Sequence, residues 1–346
     1  MKIQDLAGLS KPLTRLIEVV SKGAGAVSTP YLIRRTADAR AYEIKVIADA
    51  LKDVREKNQL PVIYDGGAIE VWQKPDDKTL ILDTQPIDQR IAGRLEYQER
   101  KRQDNIENVT AAAAAELSKE TVVPDKHPDD DWITRFFSSA QDVSSQEMQE
   151  LWGKILAGEI KKPGSYSLRT LDFVRNITKG EAQVLEKVGR LALLSGGDMA
   201  FVATHDKTWL QKERNIYDSD HFLLSELGIM YPTDLGISLE FPNLPEIALF
   251  GDDHLLLVKR GEIKSAIRMP IWKFTGIGLE LLPLIQKPFD EHYFESIGKF
   301  MLSQKGEPAI CKITQRHPDN KVSYQVIKKI EPERPNTETN SPKTTV

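Results

Sequence analysis

The residues best suited to chemistry lie close together in "LWGKILAGEIKKPGSYSLRTL", residues 151–171. Glu159, Ser165, Ser167 and Arg169 place a carboxylate, two hydroxyls and a guanidinium around a Pro-Gly turn. With a distant partner supplied by the fold, such a set could form a catalytic loop or hold a phosphate. The alternative is a tightly built turn between two helices, which uses the same residue types for different reasons.

Helix signals around this stretch favour the turn. Apolar residues at three- and four-residue spacing predict a helix, and "SSQE" at 144–147 predicts the capping box that opens it. Ser167 is expected to cap a second helix, and "TKGE" at 178–181 to open a third. We expect Glu159 and Arg169 to pair across the corner. The cluster of interest, its functional or structural role left open, comprises Trp132, Trp152, Glu159, Ser165, Ser167, Arg169 and Thr170.

Elsewhere the sequence offers little for catalysis or metal binding. Six histidines are scattered without the paired spacing of a helical zinc site, and the single Cys311 lies in a predicted strand. The aspartates at 129–131 are interpreted as a helix N-terminus in preference to a magnesium site. Nucleophile-elbow, Walker A and dinucleotide patterns are absent from the sequence. We therefore assign no catalytic residue, metal or cofactor, and favour a non-enzymatic protein.

The composition predicts a soluble protein of a reducing compartment. The 47 basic residues against 51 acidic ones give a formal net charge of −4, without general attraction to nucleic acid or acidic lipid. One cysteine excludes an intrachain disulfide and suits the cytoplasm. No window approaches the ~18 apolar residues of a membrane span. The sequence therefore predicts a cytoplasmic protein without a transmembrane span.

Residues 1–30 are predicted to form a separate amphipathic segment. Six basic side chains outnumber two acidic ones over residues 1–35, and apolar residues recur there at three- and four-residue spacing. A basic amphipathic helix can lie on a membrane surface, which would suit a membrane-surface abortive-infection effector. The same helix can instead pack on its own domain or on a second subunit, and we favour this interpretation.

Residues 31–120 are expected to form long helical arms, interrupted by an insert at 60–84. A seam of small and apolar residues at 37–54 has the alternating spacing of helices that pair. The second arm, 86–119, has strong helix propensity, with apolar residues near its ends and a middle that is polar on every side. We expect the arms to form a coiled coil between copies of the chain, and hence a homo-oligomer.

The rest of the chain divides into four further parts. Residues 121–195 are expected to form a compact helical core, and residues 196–287 a winged-helix-like module that ends in a two-stranded ribbon. A helix plus hairpin at 288–330 and a disordered tail at 331–346 follow. The predicted fold is mainly α in the N-terminal half and α+β in the C-terminal half.

The predicted ribbon raises the question of nucleic-acid binding. It carries Lys259, Arg260, Lys264 and Arg268, which could contact phosphates together with the basic triplet at 100–102. The helix in the recognition position, "DSDHFLLSELGIM", has three acidic residues and no basic one, so it would repel a phosphate backbone. We therefore favour a protein-interaction or scaffolding role with a protein partner, and keep a DNA- or RNA-binding regulator as the alternative.

Several segments together carry a family resemblance: "KRQDNIENV", "DDDWITRFF", "SSQEMQELWGKILAGEIKKPGSYSLRTLDFVRNI" and "FTGIGLELL". The chain resembles a bacterial family known as a domain of unknown function, over residues 30–285 and most weakly over 60–82. The resemblance implies no activity, substrate or cofactor. Families of this kind often lie in variable bacterial gene neighbourhoods, which makes phage defence a hypothesis for the biological role.

Overall fold

The computed structural model describes residues 10–25, 62–65, 68–71, 86–196, 199–241, 245–263, 266–317 and 321–332, the second and third ranges by backbone alone. The chain divides into two units, residues 1–171 (the N-terminal unit) and residues 172–346 (the C-terminal unit). The described residues include ten α-helices, and eight of their strands join in one antiparallel sheet. None of the described helices is long and apolar enough to cross a bilayer.

Helices and a short hairpin make up the described part of the N-terminal unit. In chain order they are α1 (Lys11–Ala24), β1 (Val62–Asp65), β2 (Ala68–Val71), α2 (Ile87–Leu117), α3 (Asp130–Ala140) and α4 (Gln146–Lys161), and α5 (Leu168–Asn176) begins at the end of the unit. β1 and β2 pair antiparallel. The seam at 37–54 and most of the insert at 60–84 lie outside the described residues, so the first helical arm stays a prediction.

The apolar face of α1 packs inside the N-terminal unit. Leu16, Val19 and Val20 are at most 1% exposed. A Cβ built on Gly23 would lie 2.1 Å from the ring of Phe137 in α3, so the two helices are in direct contact. Protein therefore covers this face, as in the favoured interpretation that the helix packs on its own domain. The membrane-surface alternative, which also involves residues outside the described ones, stays a prediction.

α2 is one helix of 31 residues with two different halves. In its second half Ile106, Val109, Ala113 and Leu117 are buried. Residues 87–101, in contrast, are exposed on every side of the helix. Of the apolar residues near the two ends of this helix, only the C-terminal set is therefore buried in the core of the unit.

The buried half of α2 crosses α4 at Gly153. A Cβ at this position would lie 2.5 Å from the Cβ of Ala112 and 2.9 Å from the backbone nitrogen of Ala113. Contacts of side-chain atoms essentially never fall below 3 Å, so only glycine allows the two backbones to come this close. The contact fixes where α2 and α4 meet.

Side-chain caps fix the starts of α3 and α4. Asp129 accepts the backbone N–H of Trp132 at 3.0 Å, which confirms the aspartates at 129–131 as a helix N-terminus. α4 begins one residue later than predicted, because the cap is Ser145, whose Oγ accepts the N–H of Met148 at 3.3 Å.

An eight-stranded antiparallel sheet is the centre of the C-terminal unit. The elements after α5 are α6 (Lys179–Gly189), β3 (Leu193–Ser195), β4 (Met199–Ala203), α7 (Lys207–Arg214), α8 (Asp218–Glu226), β5 (Leu235–Leu239), β6 (Glu246–Phe250), β7 (His254–Lys259), β8 (Ile267–Lys273), α9 (Gly276–Leu281), a 3-10 turn (Leu282–Leu284), α10 (Glu291–Ser303), β9 (Glu307–Arg316) and β10 (Val322–Lys329). The strand order is β10-β9-β7-β6-β3-β4-β8-β5. The capping box at 178–181 opens α6 and the hairpin β9–β10 closes the unit, as predicted.

α10 packs against β7 and β9 and completes the core of this unit. Leu256 and Val258 of β7 are fully buried, as are Ile297 and Met301 of α10. β7 is buried at five of its six positions, which is the pattern of a strand with neighbours on both edges and cover on both faces.

The predicted two-stranded ribbon is wrong in its pairing. β7 and β8 are both strands, and Gly261 between them has a left-handed φ of +50°. However, β7 pairs with β6 and β9, whereas β8 pairs with β4 and β5. A hairpin is the cheapest closure for two strands that are close in sequence. Here each strand gains two partners from elsewhere in the chain, and three strands of the sheet separate them.

We expect Gly153→Ala to lower the free energy of unfolding of the N-terminal unit by about 1–3 kcal/mol, because the added methyl group separates α2 from α4. Urea unfolding followed by circular dichroism measures the change. Gly93→Ala is the matched control, since a Cβ there meets nothing within 4 Å and alanine favours a helix. Wild-type stability of Gly153→Ala would contradict the close contact.

Candidate functional site

Glu159 is the centre of the corner between α4 and α5. Its side chain is 1% exposed. Oε1 accepts the backbone N–H of Gly164 at 2.6 Å, and Oε2 accepts that of Tyr166 at 3.1 Å. Hydrogen bonds from N–H groups to a carboxylate are among the stronger ones in proteins. One buried carboxylate therefore holds the turn at 162–166 against the end of α4.

Two glycines allow the corner to close. Gly164 has a φ of +92°, a conformation that side-chain-bearing residues rarely adopt. A Cβ on Gly158 would lie 2.8 Å from the ring of Tyr166, so the tyrosine packs directly on the backbone of α4. The Pro-Gly turn is thus shaped by close backbone approach.

The hydroxyl groups of the corner serve the local backbone. Ser165 Oγ donates to the carbonyl of Lys162 at 2.6 Å. Ser167 Oγ accepts the N–H of Thr170 at 3.3 Å, as expected for the cap of α5. Arg169 is exposed, and the carboxylate of Glu159 faces the backbone. The predicted Glu159–Arg169 pair is therefore replaced by contacts between Glu159 and main-chain N–H groups.

Trp132 and Trp152 belong to the aromatic core of the N-terminal unit. Trp132 stacks on Phe136 with ring centroids 5.1 Å apart, and Trp152 meets Phe136 edge to face at 5.2 Å. Both indole N–H groups are buried without an acceptor in the described part of the chain. The residues singled out from the sequence thus divide between an aromatic core and a buried corner, and Glu159 and Thr170 are both inaccessible.

The basic residues considered for nucleic-acid contact do not share one ribbon. Lys259 ends β7, Arg268 lies on β8, and these strands are not neighbours. Arg260 donates through Nε to the carbonyl of Ile263 at 3.2 Å. Lys264 lies outside the described residues. No group of three or more potential metal ligands occurs within the ranges that the structure describes.

A groove of about 620 Å³ in the C-terminal unit is the feature that sequence reasoning missed. One wall is the exposed face of α6, with Glu186, Lys187 and Arg190. The opposite wall is the segment that leads into α10, from Phe289 to His292. The volume lies within the range of about 300–1,000 Å³ that is typical of small-ligand sites.

An ion pair forms part of the lining of this groove. Arg214 binds Asp290 through two bonds, Nε to Oδ2 at 2.6 Å and Nη2 to Oδ1 at 2.7 Å. Asp290 also accepts the N–H of Tyr293 and so caps α10. Burial disfavours the ionised carboxylate, but the bonds from Arg214 and Tyr293 outweigh it and lower the pKa of Asp290. The bond to Asp290 raises the pKa of Arg214, so both groups stay charged at neutral pH.

The sequence carries only a weak signal for the groove. Gln183, Lys187 and Arg190 recur at three- and four-residue spacing along α6, which is the polar stripe of any surface helix. The other wall, residues 288–292, is distant in the sequence, and no short motif spans the two. Only the folded sheet brings them together.

We expect Glu159→Gln to lower the free energy of unfolding by about 1–3 kcal/mol, because it removes the charge that two buried N–H groups face. Arg169→Ala should change it by less than about 0.5 kcal/mol, as at most exposed positions. Chemical denaturation of both variants measures the difference. Equal losses of unfolding free energy in the two variants would instead indicate an ion pair between Glu159 and Arg169.

One of three comparisons with known proteins places the chain in a family. The family model described as "Protein of unknown function (DUF2806)" matches residues 89–298, which is more than half of the chain. Comparisons with curated proteins and with solved structures found no match. The matched region includes the corner at Glu159 and both walls of the groove. The chain therefore belongs to the family described as Protein of unknown function (DUF2806).

Proposed function

We propose that this protein is a scaffolding or interaction protein that associates with a second copy of itself through residues 87–101 of α2. The exposed apolar stripe on this half of the helix carries the proposal. Ile87, Ile91 and Leu95 follow one another at four-residue spacing and are 62%, 42% and 49% exposed. Such a stripe on a helix surface is typical of a helix that pairs.

The exposed half of α2 gains stability from a partner. It extends about 22 Å at 1.5 Å per residue. A helix of ~15 residues without tertiary contacts is only marginally stable in water. Covering an isoleucine or leucine side chain contributes about 1.5–3 kcal/mol. Residues 87–101 are not covered by the rest of the described N-terminal unit. Association of two such helices would therefore stabilise them.

The charges beside the stripe favour a second copy in parallel orientation. At about 100° per residue, Asp88 lies on one side of the stripe, and Arg94 and Lys101 lie on the other. In a parallel pair of helices, opposite sides of the two stripes meet, whereas in an antiparallel pair like sides meet. Two parallel copies thus bring acidic residues beside basic ones, which supports self-association.

The nucleic-acid alternative has less support. Arg100 pairs with Glu96 at 2.6 Å, and Arg102 pairs with Glu99 at 2.9 Å, so neighbouring acids compensate two of the three cations at 100–102. Lys259 and Arg268 lie on strands that are not neighbours. A role in phage defence stays a hypothesis from the family resemblance, and self-association would be compatible with it.

We expect Ile91→Ala to weaken self-association by about 3 kcal/mol for the two copies together, roughly a hundredfold in Kd. Sedimentation equilibrium over a range of micromolar concentrations measures the change. Tyr97→Ala is the matched control, because Tyr97 is also exposed, at 62% against 42% for Ile91, but lies off the stripe.

The same experiment tests the orientation. Asp88→Arg should weaken association, and Asp88→Arg combined with Arg94→Asp should restore it if the helices are parallel. A wild-type protein that stays monomeric throughout the concentration range would contradict the proposal. So would an equal effect of Tyr97→Ala and Ile91→Ala.

A further inference from the structure

The groove between α6 and α10 carries an inference that is independent of self-association. Its acidic residues on the α10 side already have cationic partners. Asp290 is bound by the two bonds from Arg214 and by the N–H of Tyr293. Glu291 accepts a bond from Lys328 at 2.9 Å. A cationic ligand would have to compete with these contacts.

On the α6 side, Arg190 is held less firmly than these groups. Arg190, the residue directly after α6, pairs with Glu186 one turn earlier, and both side chains are about half exposed. Exposed pairs of this type contribute only about 0.3–0.5 kcal/mol, so an incoming anion can take the guanidinium from the glutamate at little cost. Lys187 is different, because it is fixed by Asp220 and by the carbonyl of Asn215. Asp220 compensates its charge, so Arg190 is the cation of this wall that can turn to a ligand.

An aromatic ring forms part of the opposite wall. Phe289 stacks on His254 with ring centroids 3.7 Å apart and meets Phe294 edge to face at 5.4 Å. Two ring contacts hold the phenyl group in one orientation beside the groove. Aromatic groups of a ligand gain both apolar burial and ring contacts at such a surface.

We propose that this groove binds a small aromatic phosphate, the chemistry of a mononucleotide. The guanidinium of Arg190 turns from Glu186 to the phosphate, since its planar fork matches two phosphate oxygens. His292, exposed on the α10 side of the groove, supplies a further donor. The ring of the ligand packs toward Phe289 and Leu191. Glu186 opposes the phosphate, so it limits the affinity of the wild-type site.

Titration calorimetry of the full-length chain with adenosine monophosphate, adenosine and inorganic phosphate tests the site. We expect the monophosphate to bind more tightly than either fragment. Arg190→Gln should weaken its binding about tenfold or more, because a charge-assisted contact is lost. Glu186→Gln should strengthen it severalfold, a gain of affinity that a damaged fold cannot produce. Arg169→Gln, an exposed arginine outside the groove, should leave the affinity unchanged.

Three results would overturn the proposal. The first is a monophosphate that does not bind at millimolar concentration. The second is adenosine that binds as well as the monophosphate, which would exclude the phosphate contact. The third is an equal loss for Arg190→Gln and Arg169→Gln, which would indicate general charge attraction. Sedimentation of the same variants should match wild type, so failure here leaves the proposed self-association standing.

Discussion

The backbones of α2 and α4 approach each other so closely at Gly153 that a single methyl group would not fit. The contact lies in one of the two halves of α2, which have different surroundings. The second half contributes Val109, Ala113 and Leu117 to the core, whereas the first half is exposed on every side. Because one continuous helix contains both, the contact that stabilises the core also holds the exposed stripe in a defined direction. A flexible tether would not present Ile87, Ile91 and Leu95 on one face.

Charged residues have similar roles in the two units, though at different places. In the N-terminal unit, buried Glu159 accepts hydrogen bonds from the main-chain N–H groups of Gly164 and Tyr166 and so fixes the corner between α4 and α5. In the C-terminal unit, Asp290 accepts hydrogen bonds from Arg214 and from the N–H of Tyr293, and it caps the start of α10. The hydrogen bonds of both carboxylates stabilise the fold itself. The groups still able to exchange partners are exposed ones, such as Arg190, and these residues look ordinary in the sequence.

Short-range features of the fold can be predicted from the sequence. The cap at Asp129, the capping box at 178–181 and the hairpin β9–β10 depend on residues only a few positions apart, so composition and spacing specify them. Features that depend on distant partners cannot be obtained this way. For example, no pattern near Gly153 in the sequence predicts its contact with Ala112.

The errors have the same origin. Pairing β7 with β8 follows the shortest loop, whereas the sheet gives each strand two other neighbours. Opposite charge and proximity favour a Glu159–Arg169 pair, but burial of Glu159 beside two main-chain N–H groups decides otherwise. The groove was missed because its walls, 183–191 and 288–292, converge only in the folded unit.

Hydrogen exchange along α2, measured at several protein concentrations, tests most directly whether the exposed half is an association surface. Amides at 105–117 should be protected at every concentration, because they lie in the core half of the helix. Amides at 91–101 should exchange rapidly in dilute protein and become protected as the concentration rises through the range of self-association. Rapid exchange at 91–101 at every concentration, with 105–117 still protected, would contradict the account, because the stripe would then have no partner in a second copy.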